Sequence, residues 1–173
     1  MIITINSIYD LISLISLFII IYFIFTFDII LIIGAIVCIS IHFIIKLVTN
    51  GWYPPIFKRP DGAKNCDLFN KGGLVENQSG FPSGHVTIVS FVIEILLLRN
   101  NNNDNILKKI YYNIPTILVG YARVGKGCHN CIQVIAGYLL GYLVANVLYK
   151  YENAIIEYIK DNMSYFFNFY INE

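Results

Sequence analysis

The sequence contains few charged residues. They make up 13% of its 173 residues, against about 25% in an average soluble chain, while 57% of the residues are hydrophobic. A soluble domain of this size could not bury so much apolar surface, because small domains leave much of their surface exposed. The composition excludes a soluble enzyme and a disordered chain, and it predicts an integral membrane protein in contact with a lipid bilayer.

An excess of basic residues is also absent. The 12 Lys and Arg residues nearly balance the 11 Asp and Glu residues, which leaves a net charge of +1. A nucleic-acid-binding protein needs a clear basic excess, so no nucleic-acid partner is predicted. No Lys or Arg precedes the first apolar run, and no small-residue cleavage site follows it, so we expect a membrane helix there rather than a signal peptide.

Long apolar runs, by contrast, are abundant. They cover residues 11–27, 29–45, 86–98, 110–122 and 130–149. The first two and the last are long enough to span a bilayer, whereas the third and fourth must extend into their polar flanks or tilt. The pattern predicts an all-α, multi-pass membrane bundle of about five transmembrane helices, with six as the alternative.

We divide the chain into three parts. Residues 1–49 are predicted to form an N-terminal transmembrane hairpin with its turn at residues 26–28, and residues 50–150 form the core that carries the polar motifs. Residues 151–173 place polar and apolar side chains at near-helical spacing. This tail is predicted to be an amphipathic helix in the membrane interface, in preference to a sixth span.

The predicted topology gathers polar residues on one membrane face. Five spans bring residues 58–60, 82–85 and 123–129 to helix ends on the same side of the bilayer. The first of these segments carries the positive charges of Lys58 and Arg59. Basic and polar groups that meet at membrane helix ends are suited to an anionic lipid headgroup.

The second polar segment is Pro82-Ser83-Gly84-His85. Pro and Gly indicate a turn before an apolar run, so Ser83 and Gly84 fall at a helix N-terminus, where free backbone N–H groups bind anions. His85 lies in the first turn, where it can donate a proton to a leaving group. The alternative is an ordinary helix cap followed by a histidine without a chemical role.

The third polar segment joins the last two apolar runs. Arg123 ends one run, and a planar guanidinium binds phosphate through paired hydrogen bonds. His129 opens the next run and is a candidate nucleophile if an acceptor holds its second ring nitrogen. Gln133, four residues further on, is the candidate acceptor. The alternatives are an interfacial anchor for Arg123 and a polar helix start for His129.

The cysteines allow two other chemistries. Cys128 and Cys131 form a C-x-x-C pair, which could indicate a zinc or redox site, but only Cys66 or His85 could complete a set of four zinc ligands with them and His129. We expect neither a metal nor another cofactor. A disulfide between Cys66 and Cys128 is open if this face of the membrane is oxidising.

Together the three segments resemble the motifs of the type 2 phosphatidic acid phosphatase (PAP2) family, which shares its site with vanadium haloperoxidases. The family pattern is Lys-x6-Arg-Pro, Pro-Ser-Gly-His and Ser-Arg-x5-His-x3-Asp. The matching residues here are Arg59-Pro60, Pro82-Ser83-Gly84-His85 and Arg123-x5-His129-x3-Gln133. The resemblance covers roughly residues 50–145 and implies a PAP2-like helical core.

The resemblance also implies a reaction. Family phosphatases need no metal and hydrolyse phosphate monoesters or pyrophosphates of lipids, such as phosphatidic acid or polyprenyl pyrophosphates. The role of His129 would be to attack phosphorus and form a phosphohistidine, and that of His85 to protonate the leaving alkoxide. The predicted phosphate-binding residues are Arg59, Ser83, Gly84, Arg123 and, beside Arg59, Lys58.

Three positions depart from the family pattern. Trp52 stands in place of the motif lysine, Ala122 in place of the serine, and Gln133 in place of the aspartate. An amide accepts the imidazole N–H but adds no negative charge to stabilise an imidazolium. Other lysines could approach the site without the family spacing: Lys46, Lys58 and Lys64. The alternative function is a weakened or inactive relative that binds lipid phosphates or a membrane partner, and either form could be a homo-oligomer.

Overall fold

The computed structural model describes residues 5–51, 54, 56–69, 71–76, 78–100 and 106–171, except the side chains of residues 24 and 163–171. It contains six α-helices: α1 (Ile5–Ser13), α2 (Ile15–Thr26), α3 (Ile29–Thr49), α4 (Gly84–Arg99), α5 (Ile106–Gly125) and α6 (Cys131–Ile171). These described residues form no β-strand, only two isolated bridges in the loop between α3 and α4. The predicted all-α fold is confirmed.

The turn predicted between the first two spans is present. Phe27 ends α2 in a left-handed conformation, with φ of 50°. Asp28 then caps α3, because its carboxylate accepts hydrogen bonds from the backbone N–H groups of Ile30 and Leu31. The short polar sequence therefore ends one apolar helix and starts the next, which lets α2 and α3 pack against each other.

The structure has the lengths and the surface of a membrane protein. Three helical stretches, Ile5–Phe23, Ile29–Thr49 and Cys131–Asn162, are long and apolar enough to cross a bilayer. Large apolar side chains are exposed on the outer faces of α3, α5 and α6, among them Phe43, Ile117, Leu139 and Leu143. Contiguous apolar surface of this kind is rare on soluble monomers and is suited to lipid. The fold is that of a helical membrane protein, and the number of spans stays a prediction.

Helix α4 lies at the centre of the bundle. Twelve of its 16 residues are buried, and α6 packs closely along it. Gly137 and Gly141 face the backbone of Ser83 and Thr87, where any added Cβ atom would collide with a carbonyl oxygen. The Gly-x-x-x-Gly pattern therefore allows the backbones of α4 and α6 to approach each other next to the start of α4. This contact holds together two helix ends that carry polar motifs.

At the opposite end of α4, an ion-pair network joins three helices. Arg99, in the last turn of α4, pairs with Asp28 at the start of α3 and with Glu152 of α6. Burial alone would raise the pKa of Asp28, but hydrogen bonds from Arg99 and from two backbone N–H groups keep it below its usual value. The network therefore holds the Asp28 carboxylate charged and fixes the relative positions of α3, α4 and α6.

Helix α6 is longer than the sequence suggested. It runs without a break over 41 residues, which corresponds to about 60 Å, or twice the thickness of a bilayer core. The tail predicted as a separate helix after residue 150 is a continuation of α6 as far as residue 171. Its place in the membrane interface stays a prediction.

Candidate active site

The three polar segments meet around a cavity at one end of the bundle. The cavity has a volume of about 340 Å³, and four motif residues line it: Arg59, Gly84, His85 and His129. Its other wall comes from α2, α3 and α4, where Ile20, Ile39 and Ile88 are apolar. The cavity therefore offers cationic and imidazole groups, together with the carboxylate of Asp67, at one part and hydrocarbon at another.

His129 is held by acceptors at one ring nitrogen. Its Nδ1 lies 2.9 Å from the carbonyl oxygen of Gly80 and 3.2 Å from Oε1 of Gln133. Because both partners accept hydrogen bonds, Nδ1 carries the proton and Nε2 keeps its lone pair. That Nε2 lies 3.5 Å from Nη1 of Arg59, on the lining of the cavity. The imidazole thus has the tautomer that a nucleophile requires.

Gln133 is fixed by hydrogen bonds at both ends of its amide. Its Nε2 donates to the carbonyl oxygens of Ile56, at 3.0 Å, and Lys58, at 2.6 Å. Its Oε1 accepts from the backbone N–H of Asn130, whose own Oδ1 accepts from the backbone N–H of Gln133. This reciprocal pair is a capping box at the start of α6. The amide is therefore oriented with its oxygen toward His129, as the sequence predicts.

A disulfide positions the two motif arginines. Cys66 and Cys128 are bonded, and each offers its backbone carbonyl oxygen to a guanidinium. Arg59 Nη1 donates to Cys128 at 2.9 Å, and Arg123 Nη2 donates to Cys66. The disulfide that the sequence left open is present, and it joins the two loops that orient the arginines.

Several buried polar groups of the site have no hydrogen-bond partner among the described residues. Arg123 is fully buried, yet its Nε and Nη1 have no hydrogen-bond partner among the described residues, and the same holds for Arg59 Nε. Ser83 occupies the N-cap position of α4 without forming a capping bond, and its Oγ is likewise unpartnered, as is Nε2 of His85. Each unpaired buried group costs about 1–3 kcal/mol, so such a cluster is unusual in a helix start that is only structural. These groups are suited to an anion.

The predicted site residues do not all occupy the same place. Ser83, Arg123 and Gln133 are fully buried but are not part of the cavity lining. The Lys58 side chain is absent from the lining, and its backbone carbonyl binds Gln133 instead, so a phosphate contact by Lys58 stays a prediction. Trp52, at the position of the family lysine, lies outside the described residues.

The electrostatic environment keeps His129 neutral. Burial lowers the pKa of His129 well below its usual value near 6.5, and the positive charges of Arg59, Arg123 and Lys46 act in the same direction. Burial also lowers the pKa of Arg59. A neutral imidazole surrounded by cations is suited to attack a bound anion.

Some contributors were missed by sequence reasoning. The Gly80 carbonyl and the two cysteine carbonyls carry no sequence signal, because every residue has a carbonyl group. The capping box from Asn130 to Gln133 could have been read from its spacing. His42 of α3 also lines the cavity without belonging to a motif, and so does Lys46, one of the three lysines that the sequence allowed near the site.

The C-x-x-C pair is not joined in the structure. Cys128 is bonded to Cys66, and Cys131 is an exposed free thiol. Within the part of the chain that the structure describes, no three His, Cys, Asp or Glu side chains come together as metal ligands. The structure therefore gives no support to the zinc or redox alternative.

Comparison with known proteins agrees with this geometry. The family model of the PAP2 superfamily matches residues 25–157, which contain all three motifs. Lipid phosphate phosphatase 1 of Arabidopsis thaliana is 31% identical over 127 residues, an alignment that covers 61% of this chain and 38% of that protein. The chain thus spans well under half the length of that relative. No solved structure matches this chain. The helical membrane fold, the motifs gathered at one end and the family match establish that this chain belongs to the PAP2 superfamily.

Proposed function

We propose that this protein is a membrane lipid phosphatase that hydrolyses a phosphate monoester or pyrophosphate of a lipid through a phosphohistidine intermediate. The observation that supports this proposal best is the tautomer of His129. Its Nδ1 proton is held by Gly80 and Gln133, which leaves the Nε2 lone pair on the lining of a cavity that also contains Arg59 and His85. The similarity to a lipid phosphate phosphatase supports the same class of reaction.

The first step transfers the phosphoryl group to the enzyme. The Nε2 lone pair of His129 forms a bond to phosphorus while the bond from phosphorus to the leaving oxygen breaks. The leaving oxygen keeps that electron pair and takes a proton from His85, which enters the step as an imidazolium stabilised by the negative charge of the bound phosphate. Arg59, Arg123 and the N-terminus of α4, with the Ser83 hydroxyl, stabilise the charge on the nonbridging oxygens in the transition state.

The second step releases phosphate. A water molecule attacks the phosphohistidine and loses its proton to His85, which the first step left neutral. The bond from phosphorus to Nε2 breaks, and its electron pair returns to His129 as a lone pair. The histidines are then in their starting protonation states, and no metal takes part in either step.

The walls of the cavity support an amphiphilic substrate. Its cationic part suits a phosphate group, and the apolar side chains of Ile20, Ile39 and Ile88 suit the adjoining hydrocarbon. The Cys66–Cys128 disulfide further supports a site that faces an oxidising compartment, because disulfides persist in such environments. We therefore propose a lipid substrate that is bound at the noncytosolic surface of its membrane.

Phosphate release by the purified protein tests the proposal. Wild type should release phosphate from phosphatidic acid or a polyprenyl pyrophosphate without added metal, and His129→Ala should lower the rate by about 10³-fold or more. A phosphoenzyme that is labile in acid and stable in base should form in wild type only. Undiminished release by His129→Ala would overturn the mechanism. Lipid-phosphate binding without turnover in wild type would instead favour the inactive relative that binds lipid phosphates.

A further inference from the structure

Two lysines from outside the three motifs line the cavity, Lys46 and Lys71, and of these Lys71 is exposed. Lys46 lies in the last turn of α3 and lines the same cavity as Arg59, His85 and His129. It is half-buried, and the ion pairs found among the described residues all involve Arg99 or Lys126 instead. A desolvated ammonium without a carboxylate partner is unfavourable, which makes a bound anion its natural counter-charge.

The end of α3 is attached to the loop that holds the nucleophile. Thr49, one turn after Lys46, forms a 2.7 Å hydrogen bond between its Oγ1 and Oγ of Ser79. Ser79 directly precedes Gly80, whose carbonyl oxygen accepts from Nδ1 of His129. Lys46 is therefore held at a fixed place relative to His129, although it lies far from it in sequence.

The face of α3 that carries Lys46 also contacts the phosphate-binding turn. His42 lies four residues earlier, on the same helical face, and it too lines the cavity. A Cβ atom built on Gly84 would lie 2.9 Å from Cε1 of His42, so the imidazole packs directly against the N-terminus of α4. This contact directs one side of α3 toward the place where backbone N–H groups are free to bind an anion.

We propose that Lys46 binds a nonbridging oxygen of the substrate phosphate and stabilises the transition state, supplying the cationic contact that the family pattern places at the position of Trp52. The inference rests on the proposed function, because it assigns a residue to the same phosphate site. Arg59 and Arg123 keep their motif positions, whereas a further cation of the site comes from a preceding membrane helix. The substitution of the family lysine by Trp52 then changes only which part of the chain supplies the positive charge.

A purely structural role for Lys46 predicts different behaviour. A lysine at the end of a membrane helix can extend its ammonium group to the interface and anchor the helix there. Loss of such an anchor would lower thermal stability and leave the affinity for phosphate unchanged. Phosphate affinity and catalytic efficiency, measured together with stability, therefore separate the two roles.

The test compares Lys46→Met, Lys46→Arg and Lys64→Met in detergent-solubilised protein. Met removes the charge but keeps the length and suits an apolar helix, and Lys64 is an exposed lysine that does not line the cavity. We expect Lys46→Met to lower kcat/KM by about 10²-fold and to weaken binding of inorganic phosphate and orthovanadate by about tenfold or more. Lys46→Arg should keep both within about tenfold of wild type, and Lys64→Met should change neither.

Binding of phosphate, read as thermal stabilisation of each variant, is independent of turnover. Unchanged phosphate affinity and kcat/KM in Lys46→Met would overturn the inference while the proposed function stands. If wild type binds phosphate but hydrolyses nothing, the proposed function fails, and weaker phosphate binding by Lys46→Met still supports the assignment of Lys46. If wild type binds neither phosphate nor orthovanadate, both proposals are overturned.

Discussion

The arginines at the two ends of the helical bundle differ in whether they form ion pairs. At one end, Arg99 is bonded to the carboxylates of Asp28 and Glu152, which lie on two other helices. At the other end, Arg59 and Arg123 are more deeply buried, and their hydrogen-bond partners among the described residues are backbone carbonyl oxygens and an imidazole nitrogen. Among the described residues, no carboxylate forms a direct ion pair with either of them.

The arginine at one end stabilises the fold through its ion pairs, whereas we propose that the two arginines at the other end bind an anionic ligand. The ion pairs of a paired arginine offset the free-energy cost of removing its charge from water, and they join the elements that carry its partners. Buried guanidinium groups without counter-ions reduce stability, and proteins retain such groups where a bound anion compensates them. The contrast therefore predicts that substitutions at the two ends affect different measurements.

Among the substitutions that test this contrast, Arg123→Met is expected to have the largest effect on activity. Removing this buried cation, which we propose binds phosphate, should lower kcat/KM by about 10²–10³-fold, with little loss of thermal stability, because the variant no longer buries an unpaired charge. Phosphate release and thermal melting in the same detergent check both parts. A large loss of stability with activity intact would contradict the assigned role.

The matched substitution at the opposite end is Arg99→Met. It leaves Asp28 and Glu152 without their cation and should lower the free energy of unfolding by about 1–3 kcal/mol. The kcat/KM of the folded protein should stay at the wild-type level, because Arg99 lies at the far end of α4 from His85. An Arg99→Met variant with normal stability and impaired catalysis would remove the contrast between the two ends.

Gln133→Glu should change the pH dependence of the site. The depressed pKa of His129 keeps its imidazole neutral in acid, so the acid limb of the kcat/KM profile should lie below the ordinary value of about 6.5. A carboxylate beside Nδ1 would raise that pKa and move the acid limb to higher pH. The variant should also melt at a lower temperature, because the carbonyl oxygens of Ile56 and Lys58 would lose their donor. An unchanged acid limb would contradict this prediction.

The same depressed pKa predicts how stability changes with pH. Unfolded His129 binds a proton more readily than folded His129, so its contribution to stability is present above about pH 6.5 and declines as the pH falls below it. Melting temperatures of wild type and Gln133→Glu, measured from pH 8 to pH 5, should therefore converge toward acid. Parallel curves would show that His129 does not titrate as proposed.

A small effect on activity is expected from loss of the disulfide. The Cys66→Ser, Cys128→Ser variant keeps the carbonyl groups that bind Arg123 and Arg59 but no longer joins their loops. We expect kcat/KM to fall by about threefold to tenfold, since small misplacements of catalytic groups lower rates. A reductant should produce the same loss in wild type and none in the double variant. Equal activity in all samples would show that the loops hold the arginines without the disulfide.

Much of this architecture could be predicted from the sequence. The turn at residues 26–28 follows from a single polar interruption between apolar runs, and the start of α4 follows from Pro82 and Gly84. The helix end predicted before residue 151 is absent from the structure. It was predicted because charged residues such as Lys150 and Glu152 are typical of the polar end of a membrane span. No Gly or Pro follows Gly141, so nothing interrupts the helix, and Glu152 is instead bonded to Arg99 within the bundle.

The sequence by itself determined the class of fold, the family and the chemical groups of the site. Apolar runs specify membrane helices, and the four-residue spacing of His129 and Gln133 places these two groups on one helical face. Only the tertiary structure decided that Cys66 pairs with Cys128 and that Lys46 reaches the cavity. The physical reason is that spacing fixes which residues share a face of one helix, whereas contacts between helices depend on tilt, depth and close packing at sites such as Gly137.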